Sequence, residues 1–252
     1  MHIFLVNDDG IGSKGIMALL YAAAKRGHEV SMCAPRYQQS AASHRFTLTE
    51  PIFAKEWPVQ EQGCEAYAVT GSPVDCVRVG LQRLVQKPVD VVISGINDGY
   101  NAGMAVHYSG TVGAAMEGAL NHLPAMAVSI HHKADQSMID HLAAYAVELA
   151  EQYVQAGAPP HTVLNINAPC VPPEQLKPAV YAPLDTGNFI DGYERRESPR
   201  AGTYFWLMSG SKCEPPAEGT DLWYLERGHI TLTLMGNPVS LEKAAWDGLG
   251  VG

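Results

Sequence analysis

Residues 2–15 read HIFLVNDDGIGSKG. The apolar run over 3–6 predicts a buried first strand, and the glycines after it predict a turn and then a helix that starts near Ser13. The strand end therefore carries two adjacent carboxylates, Asp8 and Asp9, into a glycine-rich turn. In an open sheet with helices on both faces, ligands bind outside the carboxyl ends of the strands. This stretch therefore predicts both the fold and the position of a site.

The negative charges of the paired carboxylates need a compensating positive charge or proton. Two like charges side by side repel, so positive charge must lie nearby or one carboxylate must stay protonated. No Lys or Arg lies between Met1 and Ser13, which favours a bound cation. The alternative is that one Asp caps the following helix and the other is solvated.

A second motif overlaps these carboxylates. Gly10, Gly12 and Gly15 spell G-x-G-x-x-G after a predicted strand and before a predicted helix, the spacing of the dinucleotide-binding fingerprint. Carboxylates beside a pyrophosphate are unfavourable, and the predicted second strand ends without an acid for a ribose hydroxyl. Arg36 suits a 2′-phosphate instead. An NADP-linked Rossmann oxidoreductase is therefore the alternative function.

The composition limits the partners. The chain has 252 residues, a formal net charge of −9 and a pI near 5.5, enough for a large α/β domain with a sizeable core. The acidic balance argues against a general binder of nucleic acid or of membrane surfaces. We therefore expect a small substrate and neither a nucleic-acid duplex nor a membrane as partner.

The cysteines and the apolar runs predict the compartment. The five cysteines are odd in number and include no C-x-x-C pair, so we expect reduced thiols that fill the core. No signal-peptide pattern occurs at the start, and no apolar run is long enough to span a bilayer. These features predict a soluble, cytoplasmic protein.

In the rest of the chain, segments with the hydrophobic period of a strand alternate with segments that have the period of a helix. Strands are predicted over 29–34, 66–70, 89–94, 125–130 and 162–166, a hairpin arm over 46–53, and helices over 16–25, 73–84, 109–120 and 137–154. The fold class is therefore α/β, a Rossmann-like, doubly wound, mostly parallel sheet. The strand at 162–166 is expected to close it.

From Pro169 onward, the sequence predicts strands and no longer an alternation of strands and helices. Strands are predicted over 179–182, 203–208 and 230–234, the second of them in a β-hairpin. The domains are therefore a metal- and phosphate-binding core over 1–168 and a C-terminal extension over 169–252, packed on the core. The extension carries four aromatic residues that suit either an oligomer contact or a secondary core: Tyr204, Trp206, Trp223 and Tyr224.

Other predicted strand ends also carry polar groups. Ser40 lies in a polar loop after the second strand, and Asn97 and Asn101 lie in the loop after the strand at 89–94. Ser109, Gly110 and Thr111 begin a helix whose N-terminus can receive a phosphate. Each feature alone also fits ordinary loop or capping chemistry. Four histidines lack zinc-ligand spacing, and a structural or surface role is favoured for them: His107, His131, His132 and His141.

Several of these segments together resemble the SurE family, the stationary-phase survival proteins, which are metal-dependent nucleotidases. The resemblance covers nearly the whole chain and is carried by NDDG at 7–10, the Ser40 loop, GSPVDCV at 71–77, SGIN at 94–97, and YSGTV with AAMEG at 108–118. It implies one divalent cation per subunit, bound by Asp8, Asp9, Ser40 and Asn97. It also implies that Asn101 and the helix start at 109–111 hold the phosphate.

The resemblance implies a homodimer or homotetramer built partly by exchange of C-terminal elements. Oxygen ligands of this kind suit Mg²⁺ or Mn²⁺ better than structural zinc. The chain departs from the family pattern at residues 12–14, which read Gly-Ser-Lys rather than His-Ala-Pro, at Ala41 in place of Gly, and at Asp98 and Tyr100. These departures bear on substrate fit and metal preference.

The hypothesis is a 5′-nucleotidase that hydrolyses the phosphomonoester of nucleoside 5′-monophosphates to nucleoside and phosphate, with 3′-monophosphates left open. Asp8 and Asp9 are the predicted catalytic residues, and either could orient or deprotonate the nucleophile or attack directly. The alternatives are the oxidoreductase and a nucleotide-binding module with poor turnover. Metal-dependent phosphate release separates the hypothesis from both.

Overall fold

The computed structural model describes residues 1–187, 192–208 and 215–236. The strands are β1 His2–Val6, β2 Glu29–Pro35, β3 Ala54–Glu56, β4 Cys64–Val69, β5 Val91–Asp98, β6 Ala125–Ile130, β7 Thr162–Ala168, β8 Lys177–Tyr181, β9 Gly192–Ser198, β10 Gly202–Met208 and β11 His229–Gly236. The α-helices are α1 Lys14–Lys25, α2 Pro73–Val79, α3 Gly110–Leu120, α4 Gln136–Gln155 and α5 Asp221–Leu225.

Within the described residues, nine strands form one sheet in the order β3-β4-β2-β1-β5-β6-β7-β11-β8. The six strands from β4 to β7 pair in parallel, while β3 and β11 run antiparallel to β4 and β7. The chain moves from β1 to β2 on one side and later returns to β5 on the other side. This reversal is the topological switch point at which α/β sheets bind ligands. The predicted doubly wound, mostly parallel α/β fold is confirmed.

Two helical layers cover the sheet. Along β1, Ile3 and Leu5 face the core beneath α1 and α4, and Phe4 and Val6 face the core beneath α2 and α3. A parallel strand buried on both faces needs apolar residues at every position rather than at alternate ones. The unbroken apolar run in β1 therefore reflects its central place in the sheet.

The helices begin where their capping residues stand. Ser13 is the N-cap of α1, and Ser72 caps α2 with a complete capping box to Asp75. Ser109 caps α3 by accepting a hydrogen bond from the main-chain amide of Val112 at 3.1 Å. The chain leaves α1 through Gly27, whose φ of +80° is the left-handed conformation that glycine adopts without strain.

Two predictions for individual elements need correction. The segment 46–53 forms no strand, and the antiparallel arm is the three-residue β3, which pairs with β4. The sheet does not end at β7, since β11 and β8 of the C-terminal part extend it. The predicted hairpin is present as β9 and β10. Cys213 and the predicted extension beyond residue 236 lie outside the described residues, and the division at residue 168 stays a prediction.

Candidate active site

The candidate site lies at the carboxyl ends of β1 and β5, at the switch point of the sheet. Asp8 and Asp9 follow β1 after Asn7, and Asn97 and Asp98 end β5. The two strands pair in parallel, with Val6 opposite Ser94. The strand ends predicted to converge therefore lie at one edge of the sheet.

The turn after Asp9 is held by a residue that the sequence prediction did not single out. Asn7 donates from its side-chain amide to the carbonyl of Gly10 at 3.0 Å and to the hydroxyl of Ser13 at 2.7 Å. Its side-chain oxygen accepts from the amide of Gly10 at 3.2 Å. Gly10 has a φ of +102°, which other residues rarely adopt. A buried asparagine that ends an apolar strand before a glycine is the sequence signal for this turn.

Asp8 joins the end of β1 to the start of α3. Its Oδ1 accepts a hydrogen bond of 2.5 Å from the hydroxyl of Thr111, which is fully buried. A Cβ added to Gly110 would lie 3.0 Å from Oδ2 of Asp8, so a residue with a side chain would crowd the carboxylate. The N-terminus of α3, with its positive dipole end, therefore lies against Asp8.

Asp9 is the more open of the two carboxylates. Its Oδ2 accepts from the main-chain amide of Asp98 at 3.0 Å, and its Oδ1 accepts from the side chain of Gln38 at 3.3 Å. Gln38 and Asp98 were not predicted as site residues. Gln38 comes from the loop after β2 and Asp98 is the last residue of β5, so Asp9 links the two strands that flank β1.

The electrostatics of the pair favour a cation. Burial, with a smaller contribution from Asp9, raises the pKa of Asp8 from 3.8 to about 6 although the bond from Thr111 lowers it. Burial also raises the pKa of Asp9, against the lowering effect of the Asp98 amide. A carboxylate whose pKa is raised lacks compensating positive charge. A divalent cation at this position would supply it.

The other predicted metal ligands lie close in the chain to residues that contact the pair. Gln39, the neighbour of Ser40, donates its amide to the carbonyl of Asp8 at 2.7 Å, and Ser40 itself is exposed. Asn97 directly precedes Asp98 and donates its side-chain amide to the carbonyl of Gly99 at 2.8 Å. Its side-chain oxygen is the atom that a hard cation would use. The chain neighbours of Ser40 and Asn97 thus contact the carboxylate pair, and the role of these two residues as metal ligands stays a prediction.

Asn101 is placed differently from the helix start. Its side-chain amide donates to the hydroxyl of Ser129 on β6 at 2.8 Å, and its carbonyl accepts from Asn165 and Asn167 on β7. In the part of the chain that the structure describes, these hydrogen bonds fix Asn101 to β6 and β7, whereas Thr111 contacts Asp8. The phosphate-binding role of Asn101 stays a prediction.

Of the glycines in the dinucleotide-like spacing, Gly15 has a packing role and Gly12 does not. A Cβ on Gly15 would lie 2.0 Å from the carbonyl oxygen of Ile96, so α1 approaches β5 as closely as a glycine allows. A Cβ on Gly12 would meet only Trp57, at an ordinary 3.6 Å. Arg36, the candidate for a 2′-phosphate, lies over the ring of Tyr37 at 5.3 Å.

Comparison with known proteins decides the family. The model of the survival protein SurE matches residues 3–189. The chain belongs to the SurE family. It is 39% identical over 241 residues to the 5′-nucleotidase SurE of Synechococcus sp. (strain RCC307), covering 92% of this chain and 87% of the relative. It is 40% identical over 256 residues to the 5′-nucleotidase SurE of Desulfovibrio desulfuricans, covering 99% and 96%.

A solved SurE structure shares the fold. The crystal structure of the SurE protein from Aquifex aeolicus matches with a TM-score of 0.81 and 29% identity, covering 99% of this chain and 98% of that one. Membership of the SurE family confirms the resemblance found from the sequence motifs. The oxidoreductase alternative receives no support from any of these similarities.

Three further features of this SurE chain bear on the predictions. Among the described residues, no three His, Cys, Asp or Glu side chains cluster as a metal site. Of the four histidines, His131 stacks on His132 with ring centroids 4.3 Å apart. In the same residues, no helix has the length and apolar character to cross a membrane.

Proposed function

We propose that this SurE-family chain is a 5′-nucleotidase that hydrolyses nucleoside 5′-monophosphates to nucleoside and phosphate. The observation that carries the proposal is the contact between Asp8 and Thr111. It fixes the buried carboxylate of Asp8, the neighbour of Asp9, against the N-terminus of an eleven-residue helix, α3. Phosphomonoester hydrolysis needs both an anion-binding position and a means to activate the nucleophile beside it.

The predicted donor set fits a divalent cation. Asp8 and Asp9 supply carboxylate oxygens, and Ser40 and Asn97 supply neutral oxygens. Hard oxygen ligands with two negative charges suit Mg²⁺ or Mn²⁺, one per subunit. The raised pKa of Asp8 supports this assignment, because burial leaves its carboxylate short of positive charge. When bound, the cation would polarise the phosphate and lower the pKa of water.

The chain's own groups complete the chemistry. The N–H groups at Gly110 and Thr111 and the hydroxyl of Ser109 receive the phosphate and stabilise charge that develops on it. Thr111 donates to Asp8 and so keeps one carboxylate oxygen in a fixed position. The more open Asp9 has room to orient the nucleophile. A direct attack by Asp8 would instead form an aspartyl-phosphate, which acid quenching during turnover would trap.

The C-terminal hairpin supports a homo-oligomer. Strands β9 and β10 pair only with each other in the described residues, and Phe205 and Trp206 remain 61% and 57% exposed. Adjacent residues of a strand point to opposite faces, so both faces of the hairpin carry exposed aromatic surface. Such a patch is typical of a protein contact. A dimer or tetramer that covers the hairpin would bury it.

The test is release of inorganic phosphate from a panel of nucleoside 5′- and 3′-monophosphates with Mn²⁺, with Mg²⁺ and with chelator. We expect release that requires metal and differs among bases. Thr111→Val keeps the side-chain shape but removes the donor to Asp8. It should lower activity about 10- to 100-fold, as loss of a supporting hydrogen bond does in metal sites, and Thr111→Ser should retain most of it. No release under any metal condition would contradict the proposal.

A further inference from the structure

A second cleft begins at the candidate phosphate position and runs along α3. Its volume is about 660 Å³, within the usual range of small-molecule sites. One wall is formed by Ser109, Gly113 and Met116 on the side of α3, and the other by β11 and the segment after β8, including Leu184 and Leu234. We call it the α3 cleft.

The α3 cleft adjoins the phosphate position at Ser109. Ser109 lines the cleft and also caps α3, and Gly110, the next residue, lies against Asp8. The loop that carries Ser40 continues to Ser43, which donates its amide to the carbonyl of Tyr108 at 3.1 Å. A group attached to a phosphate at the start of α3 would therefore lie next to this cleft.

The chemistry of the walls suits a base and a ribose. The lining is mostly apolar, with Val106, Leu184 and Met235 among its side chains. The other cleft at the site is smaller, about 380 Å³, and includes the charged residues Asp9 and Asp98. Charged walls suit hydrated ions, whereas apolar walls with a few polar groups suit the flat face of a nucleobase.

One polar group in the α3 cleft is fixed by a buried network. His44 lines the cleft, and its Nε2 donates to Oε2 of Glu117 at 3.0 Å. Glu117 is buried, and its Oε1 accepts from Arg78 at 2.9 Å. With Nε2 held by Glu117, Nδ1 of His44 is the ring nitrogen left for a ligand. Glu117 is thus a positioning residue for His44.

We infer that the α3 cleft binds the nucleoside part of the substrate, with His44 as a polar contact to it. This inference rests on the proposed function. It assigns base and ribose recognition to residues of the Ser43–His44 loop, α3 and β11, none of which belongs to the predicted metal site. Leu234 and His44 are then specificity residues.

The test compares two substrates in three variants. Leu234→Trp narrows the cleft from a side chain that is 37% exposed, and His44→Ala removes the polar contact. Leu120→Trp is the matched control, since Leu120 is 46% exposed at the far end of α3. The substrates are a nucleoside 5′-monophosphate and methyl phosphate, which has neither base nor ribose.

We expect both cleft variants to raise KM for the nucleotide about tenfold or more and to leave kcat/KM for methyl phosphate unchanged, with Leu120→Trp like the parent. Calorimetric binding of the free nucleoside, which needs no turnover, should be lost in Leu234→Trp and kept in Leu120→Trp. Failure of phosphate release with intact, cleft-dependent nucleoside binding would reject the proposed function alone.

Three results would overturn the inference. The first is an equal loss of kcat/KM for the nucleotide and for methyl phosphate. The second is nucleoside binding that Leu234→Trp leaves unchanged. The third is a change in oligomeric state, measured by light scattering, in place of a change in nucleoside binding. The last result would mean that a second copy of the chain, rather than a nucleoside, occupies the cleft.

Discussion

Replacing Asp8 by Asn should remove activity and, without metal, make the protein more stable near neutral pH. Burial raises the pKa of Asp8 in the folded chain to about 6, compared with 3.8 for an ordinary aspartate. Between these values the folded state binds more protons than the unfolded state, so stability falls as the pH rises. Asn cannot ionise and escapes this loss.

The size of the effect follows from the two pKa values. At 1.36 kcal/mol per pH unit, ionisation of Asp8 costs the folded state about 1 kcal/mol at about pH 4.5 and about 3 kcal/mol at about pH 8. The advantage of Asp8→Asn should therefore grow by about 2 kcal/mol across this interval. The hydrogen bond from Thr111 can persist, because the Asn side-chain oxygen also accepts.

Denaturant unfolding in chelator at both pH values measures this difference, and phosphate release with Mn²⁺ measures activity. Asp140→Asn, a change of an exposed carboxylate on α4, is the control and should show no pH-dependent advantage. Adding Mn²⁺ should stabilise the parent chain more than Asp8→Asn, since a ligand stabilises the state that binds it. An advantage of equal size at both pH values, or full activity in the variant, would refute the reasoning.

The remaining predictions concern backbone positions. Gly15→Ala should destabilise the protein by about 3 kcal/mol, because its Cβ would overlap a main-chain carbonyl of β5, whereas Gly12→Ala should change stability by less than about 0.5 kcal/mol. Equal effects in chemical denaturation would contradict the packing role of Gly15. Ala41 has a φ of +56°, which is unfavourable for residues with a Cβ. Ala41→Gly should therefore raise the unfolding free energy by up to about 1 kcal/mol, and Ala42→Gly, at a position with ordinary φ, should not. A loss of stability in Ala41→Gly would contradict the inference that the backbone of Ala41 is strained.

The site was predictable from the sequence where it depends on strand ends. The apolar run of β1 followed by Asp8 and Asp9 marks a carboxyl end, and β5 followed by Asn97 marks another. Parallel sheets bring such ends to one edge. The structure places both at the switch point. The partners of Asp9, Gln38 and Asp98, were not predicted, since loop conformation after a strand follows no periodic pattern.

The C-terminal part shows the limit of local patterns. The strand over 230–234 was predicted from its alternation, yet its partners were not. It lies between β7 and β8, antiparallel to one and parallel to the other. Alternating residues tell which face of a strand is buried, but they do not tell which strand lies beside it. The arm predicted over 46–53 was wrong for a related reason, because weak alternation without a partner does not form a ladder.

By itself, the sequence determined the α/β class, the order of its elements, the carboxylate pair after the first strand and the resemblance to the motifs of the SurE family. These depend on neighbouring residues, whose hydrophobic period and capping chemistry act locally. Only the tertiary structure decided that Thr111 meets Asp8, that Gly15 lets α1 reach β5, and that α3 and β11 enclose a cleft beside the phosphate position. Those contacts join residues far apart in the chain, and their geometry is set by packing of the whole sheet and its helices rather than by any local pattern.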